Sequence, residues 1–328
     1  MNHEPFRENI TRGPGLKLLG AALIGAALFS PLVHADAFDG LRSFNALIFQ
    51  NFTSQYSDVE GTLAVGGDAT LSNYSINQSN APYNGYGLVV GGNLSFTNGT
   101  VWNNGQTYYG GTLSGWAVNY TGGTVGPPAA SPVNFGALKS TASSISSDYA
   151  GLAANGSTAY VTPDLVNPAG SGNAQGLKLT GDGTSALQVF SVDGSLLGGR
   201  NEISLSNIPS FASIVLNVSG ANTGLHNLDS SNPFDPYAGG VLLNFYEATQ
   251  VTLDHTAPHA SILAPLATIE SSRFGHITGT VVANAWNGEF QLNVSPVPEP
   301  ESYALMLAGL GLVGFMARRR RQQTSAAA

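Results

Sequence analysis

The sequence predicts a mainly β protein: a β-solenoid with one α-helix on its flank, bracketed by an N-terminal signal helix and a C-terminal membrane helix. A β-sandwich is the alternative for the central part. Three observations carry this expectation. Glycine accounts for 41 of 328 residues and charged residues for only 10%, against about 25% in an average domain. β-Branched and aromatic residues recur in short runs between glycine-rich turns, the pattern of many short strands. Two stretches also repeat. Leu63-Ala64-Val65-Gly66-Gly67-Asp68 is echoed by Leu88-Val89-Val90-Gly91-Gly92-Asn93 at an offset of 25, and Ile262-Leu263-Ala264-Pro265 by Val281-Val282-Ala283-Asn284 at an offset of 19. Offsets near 20 residues suit coils that each bury an apolar face against the next. The pairs Gly66-Gly67 and Gly91-Gly92 are expected at corners that require positive φ.

The N-terminus reads as an export leader. Arg7, Arg12 and Lys17 precede an apolar stretch at 18–29, too short for a membrane span but right for a signal peptide. Val33-His34-Ala35 presents small residues where signal peptidase inspects the chain, which places the cut after Ala35. Ala35-Asp36-Ala37 is the alternative, two residues on. Residues 1–35 therefore stand outside the fold.

The C-terminus is equally distinctive. Pro298-Glu299-Pro300 is followed by an apolar run at 303–317 and then by Arg318-Arg319-Arg320-Arg321. The prolines hold their neighbours extended, as an enzyme that grips a strand requires. The 15 apolar residues reach ~22 Å as a helix, against a hydrocarbon core of ~30 Å. The four arginines compensate by holding their end in the cytoplasm, so they act as a membrane stop. This order of parts, from Val297 through the Arg run, resembles the PEP-CTERM sorting signal of Gram-negative bacteria. The resemblance implies an exosortase partner that cuts near Pro298, Glu299 and Pro300 while the protein sits in the inner membrane. Delivery to the cell surface or extracellular matrix would follow. An uncut C-terminal anchor is the alternative. The signal occupies 298–321 and leaves a short tail at 322–328.

The exported part, 36–297, is long enough for one large domain. Its basic residues are Arg42, Lys139, Lys178, Arg200 and Arg273 against 16 acidic ones, a formal charge near −11. Such a surface repels nucleic acid and anionic lipid. It leaves room for Ca²⁺ but does not demand it, and no cofactor is expected. With no cysteine, the domain is stable without disulfides in a compartment that would permit them.

Within the domain one segment departs from the strand pattern. Phe135, Leu138, Ala142, Ile145, Tyr149 and Leu152 recur at spacings of 3 and 4, which predicts a helix over about 135–153. Asn134 is the expected N-cap, and Gly156 lies just past the end. Ser140, Ser143, Ser144, Ser146 and Ser147 fall off the apolar stripe, and the helix is expected to pack along the solenoid flank. Strand-like runs resume at 176–181, 186–192, 211–218, 240–245, 251–253, 260–264 and 277–283, with turns at Asp182-Gly183 and Asp193-Gly194.

Two further resemblances concern the domain. Ala37-Phe38-Asp39-Gly40, Phe44 to Phe49 and Ser57 to Ala69 resemble the start of the choice-of-anchor A domain, and His276 to Trp286 its end. That family comprises exported proteins with varied surface-sorting tails; the resemblance implies an adhesive role and supplies no catalytic residues to carry over. The strand–helix–strand order is also similar to the ice-binding β-helix domain.

Candidate chemistry is sparse. Asp254, His255 and His259 could approach a metal, but Pro258 interrupts a helical spacing and a solvated turn is favoured. Asp58 and Glu60 stand on one face of a strand, where a pair of carboxylates could work on a glycoside, hold a cation or cap backbone amides. No Gly-x-Ser-x-Gly elbow or phosphate loop occurs. The aromatics Tyr83, Tyr86, Trp102, Tyr108, Tyr109, Trp116 and Tyr120 crowd one region, most expected in the core with a minority facing carbohydrate. The sequence thus points to a non-enzymatic surface or matrix protein that adheres to exopolysaccharide or a neighbouring cell. An ice-binding surface is one alternative, although Thr62, Thr70, Thr97, Thr100, Thr107, Thr112 and Thr124 keep no single register. A polysaccharide-active β-helix enzyme is the other, although five scattered cations make a charge-stabilising constellation hard to build.

Overall fold

The computed structural model describes residues 37–79, 82–161, 176–197, 202–226, 232–272 and 274–295. Ala35 with its leader, Pro298-Glu299-Pro300, the apolar run at 303–317 and the Arg318 to Arg321 cluster lie outside the described residues. Among the described residues no helix is long and apolar enough to cross a membrane.

The domain is one curled, parallel β-sheet wound into a solenoid. On its first face ten strands stack in the order Leu187–Asp193, Ser213–Ser219, Val241–Asn244, Ser261–Ser271, Val281–Gly288, Ala46–Ile48, Leu63–Val65, Tyr86–Val90, Gln106–Tyr109 and Thr124–Val125. Every one of these pairings is parallel, which sets the β-sandwich aside, since a sandwich packs two antiparallel sheets. The sequence echoes are the registers themselves: Leu63 pairs with Leu88 and Ile262 with Val281.

The stacking order differs from the chain order. The first coil enters at mid-stack, and successive coils build outward to Thr124–Val125. The chain then returns along the flank as a helix and builds inward from Leu187–Asp193. Its last coil closes against its first, with Ala46 opposite Val281. Phe52 stacks on Trp286 across that closure, centroids 6.0 Å apart and 13° between planes. Buried Asn45 ties the closure, donating to the carbonyls of Gly279 (2.9 Å) and Asn293 (3.1 Å) and accepting from Gly61 N–H.

First-face strands read as continuous apolar runs because both of their sides are covered. Leu63 and Val65 face the solenoid interior, whereas Ala64 belongs to a second apolar cluster with Leu47, Val89, Leu242, Leu263 and Val282. That outer cluster is roofed by Phe38, Leu41 and Phe44 from the N-terminal segment and by Ala142 and Ile145 of helix α1, Phe135–Ala150. On the second face one side meets solvent. There Phe52–Val59 and Ala69–Ile76 alternate buried and exposed residues over their first halves.

Helix α1 starts as expected, with Asn134 Oδ1 accepting from Ala137 N–H at 3.0 Å. It stops three residues early, at Ala150, with Gly151 as C-cap, and Leu152 lies beyond the helix and 40% exposed. Asn217 Nδ2 donates to the Tyr149 carbonyl at 2.7 Å, which also accepts from Leu152 N–H at 3.2 Å just past the helix end. The helix spans the closure: Phe135 lies over Gly66, Lys139 Nζ donates to Asn284 Oδ1 (2.8 Å), and Ser146 reaches Asn244. Ser146, placed off the apolar stripe by the helical spacing, is 2% exposed.

Two further expectations are corrected and one is met. The glycine pairs turn corners without positive φ. They are needed for contact: a Cβ on Gly91 would stand 2.4 Å from Gly66 O, and one on Gly110, a third corner in the same stack, 2.1 Å from Gly91 O. The strand-like run at 176–181 is a strand, Gly176–Thr180, which joins Ser157–Val161 and Glu202–Ser206 in a separate three-stranded sheet. Finally, Asp193-Gly194 opens a single helical turn, α2, Gly194–Leu197.

Candidate functional site

Each coil of the N-terminal half bends once within its second strand, and one residue in the left-handed region makes the bend. Tyr56 (φ 53°), Asn73 (φ 51°), Asn98 (φ 52°) and Ala117 (φ 57°) hold these positions in successive coils. Asparagine tolerates that backbone well and a bulky aromatic does not. The asparagines also stack, Asn98 Nδ2 donating to Asn73 Oδ1 at 2.6 Å. Tyr56 breaks the series and is 61% exposed.

An open groove of about 710 Å³ runs along this line of bends. Tyr56, Asp58, Asn73, Asn98, Glu289 and Gln291 are among its lining residues. A second hollow of about 570 Å³, lined by Thr53, Gln55, Thr70 and Ser72, shares Glu289 with it. Together they form a polar strip across the first and last coils. Gln55 Nε2 donates to Glu289 Oε1 at 2.7 Å and Gln291 Nε2 to Asp58 Oδ2 at 3.1 Å, so each bond joins the first coil of the chain to the last, at mid-stack.

Asp58 is a perturbed carboxyl of the groove. Burial pushes it above the usual carboxylate range; the Gln291 hydrogen bond opposes this, and the nearby Glu60 charge adds to it. Its Oδ1 is buried and lacks a hydrogen-bond partner. Glu60 is engaged elsewhere, its Oε2 accepting from Val294 N–H at 3.0 Å and so capping a backbone amide. No basic residue is among the described residues that line the groove. Next to it, Trp102 is 42% exposed and directs Nε1 to Ser75 Oγ at 3.4 Å.

The other sequence candidates disperse. His255 Nδ1 meets Asp254 Oδ1 at 2.7 Å, whereas His259 turns to Asp235. Among the described residues no three His, Cys, Asp or Glu side chains gather as a metal site. Tyr108 is buried; Tyr83, Tyr86, Tyr109 and Tyr120 are half-buried, and Trp116 is 72% exposed. Burial and then Tyr109 push the Tyr120 hydroxyl up to about 12. Thr62 and Thr107 are buried, Thr70 stands beside Thr53, and Thr97 and Thr100 fall in two other columns, so no flat threonine array forms.

Tyr56, Gln55, Glu289 and Gln291 were not singled out from sequence. The 25-residue offset that relates Leu63 to Leu88 also relates Asn73 to Asn98, so the bend column was present in the repeat. The partnership of Asp58 with Gln291, 233 residues apart, had no local signal.

Comparison with known families gives two matches. A family model described as "Putative Ice-binding-like adhesive domain" matches residues 37–294. A model of the PEP-CTERM protein-sorting motif matches residues 296–321. No match is found among curated proteins or among solved structures.

Proposed function

The chain belongs to the ice-binding-like adhesive domain family and carries a PEP-CTERM sorting motif, and from that premise we propose that it is a non-enzymatic surface or matrix protein that holds polysaccharide along the groove beside Tyr56. The sorting motif implies an exported protein processed by exosortase. In this reading signal peptidase cuts after Ala35. The apolar run and Arg318 to Arg321 then hold the chain in the inner membrane until exosortase acts at Pro298-Glu299-Pro300. The choice-of-anchor A likeness fits the same picture, because its two stretches are neighbours in space, Ala46 beside Val281.

The observation that carries the binding proposal is Tyr56. An exposed aromatic occupies a strained backbone position where the next two coils use asparagine and the terminal coil uses the small Ala117, and strain of this kind collects at functional positions. A flat ring beside amides, hydroxyls and carboxylates suits a sugar, which offers an apolar face and a rim of hydroxyl groups. A groove that is shallow and open along the stack suits a polymer. The family name leaves ice as a second surface, but ice recognition would need the regular threonine array that the columns lack. Hydrolysis would need an acid and base pair aimed at one bond, whereas Glu60 is committed to Val294 N–H.

The test is retention on immobilised neutral and acidic polysaccharides. The intact protein is expected to be retained and Tyr56→Asn to lose most of that retention while keeping its fold. Equal retention of both, or retention of neither, would overturn the proposal. New reducing ends in the same incubations would make the protein an enzyme, and thermal hysteresis above an equimolar control protein would favour ice.

A further inference from the structure

The two ends of the solenoid are finished differently. At the Leu187–Asp193 end the outer edge is sealed by the chain that follows α1. Asn155 Oδ1 accepts from Val189 N–H (2.7 Å) and its Nδ2 donates to Leu187 O (2.8 Å). Thr158 Oγ1 donates to Ser191 O (3.1 Å), and Tyr160 OH accepts from Asp193 N–H (3.3 Å). Beside them Thr223 Oγ1 donates to the carbonyl of Gly194 in α2 at 3.0 Å.

The opposite end has no such seal. Its terminal coil comprises Leu113–Ser114, Val118–Tyr120 and Thr124–Val125, and each strand pairs on one side only, with Leu94–Val101 or Gln106–Tyr109. Among the described residues no strand lies on the outer edges. Parallel ladders alternate their bonding direction. Because Thr112, Ala117 and Gly123 carbonyls accept from the coil below, Leu113, Val118 and Thr124 turn their backbone groups outward. Leu113 is 36% exposed and Trp116 72%.

Exposed edges are ordinarily blocked by charge, proline or a covering segment. Here the seven edge residues contain no proline, and no Asp, Glu, Lys, Arg or His occurs anywhere from Ala69 to Leu138. The domain as a whole is near −11, so two copies repel one another over most approaches. The unsealed end is the approach where that repulsion is weakest.

We propose that this end is an interface with a second copy of the same chain, formed head to head. At the sealed end the Leu187–Asp193 edge is already bonded to Asn155, Thr158 and Tyr160, which disfavours head-to-tail growth through it. The product is a closed two-fold pair, joining two surface molecules end to end, rather than a filament. A two-fold axis at the end brings the terminal strands of the copies together antiparallel, the pairing in which edge groups align most directly. This proposal stands apart from polysaccharide binding, which uses the line of bends on the side of the stack.

The absence of cysteine makes the test clean. Ser114→Cys, Asn119→Cys and Thr124→Cys are placed singly in the full chain, expressed and exported in cells, and oxidised mildly. At least one is expected to give a disulfide-linked species of twice the mass, whereas Ser195→Cys at the sealed end gives none. Adding Trp116→Glu to the linking variant is expected to lower the linked fraction about tenfold, equivalent to ~1.4 kcal/mol, without loss of polysaccharide retention. Three things would overturn the proposal: no linked species from any of the three positions, linkage unaffected by Trp116→Glu, or mixed Asn119→Cys and Ser195→Cys chains linking to each other.

Discussion

Ser146 Oγ donates to Asn244 Oδ1 at 2.7 Å, and Asn244 Nδ2 returns bonds to Ser146 O (2.9 Å) and to Asn217 Oδ1 (2.8 Å). Both side chains are buried, and they join helix α1 to the strand Val241–Asn244 across 98 residues of sequence. Asn217 and Asn244 occupy one register position in adjacent coils, so the helix is docked on a short ladder of amides. A buried polar group is expensive when unpaired, and here every bond has a partner from another coil or from the helix.

Asn244→Ala is therefore expected to destabilise the domain by about 3 kcal/mol, since it leaves the Ser146 hydroxyl and the Asn217 carbonyl oxygen without a partner. Ser140→Ala, on the exposed side of the same helix, should change stability by less than ~0.5 kcal/mol. Urea midpoints of the two variants measure the contrast. Equal midpoints would show that the ladder does not hold the helix.

The stacked corners predict an asymmetry between glycines. Gly91→Ala would press a methyl group to 2.4 Å from Gly66 O, and a loss of about 2–3 kcal/mol is expected because backbone must move. Gly136→Ala, where the nearest atom to the new methyl is 3.7 Å away, should instead gain about 0.5 kcal/mol from helix propensity. Thermal unfolding of both variants separates close contact from conformational freedom as the reason for glycine.

Tyr56→Asn should hold or raise stability, since asparagine accepts the left-handed backbone more readily than tyrosine by up to ~1 kcal/mol, and should lose polysaccharide retention. Because the groove is proposed to work through hydroxyls, amides and a ring, chelation of divalent cations is expected to leave retention unchanged. A variant that loses stability and keeps binding would assign Tyr56 a structural role.

Asp58 has a pKa raised by burial, so the folded protein holds its proton more tightly than the unfolded chain. Stability from this group falls as pH rises from the ordinary carboxylate value of about 4 through the raised folded value. Asp58→Asn should then be more stable than wild type at pH 7, with the gain vanishing below pH ~4. A gain in stability paired with weaker polysaccharide retention is the expected trade for a binding group. Denaturant midpoints at the two pH values check it.

Asp182 shows the opposite sign. Donors from Gln188, Ser185 and Thr184 hold its carboxyl well below the usual range. The stabilisation is present above pH ~4 and is lost as pH falls below it. Asp182→Asn should be less stable than wild type at pH 7, and the deficit should shrink on acidification. A deficit independent of pH would show that shape rather than charge matters at this turn.

Local repetition explains what could be read from the chain alone. Leu63 against Leu88 and Ile262 against Val281 were legible because in-register stacking makes equivalent positions chemically alike, and the Asn134 cap and the 3-and-4 spacing of α1 are short-range signals. The sorting tail was legible too, since charge and hydropathy act there without any partner. Tertiary structure alone decided that the first coil closes on the last, with Phe52 against Trp286, because stacking order leaves no period in the sequence. It also decided the groove, where Asp58 meets Gln291, and the fate of Ser146, whose hydroxyl is buried only because Asn244 from a distant coil receives it. Those features depend on contacts between residues far apart in the chain, and no local pattern encodes which surface a coil will meet.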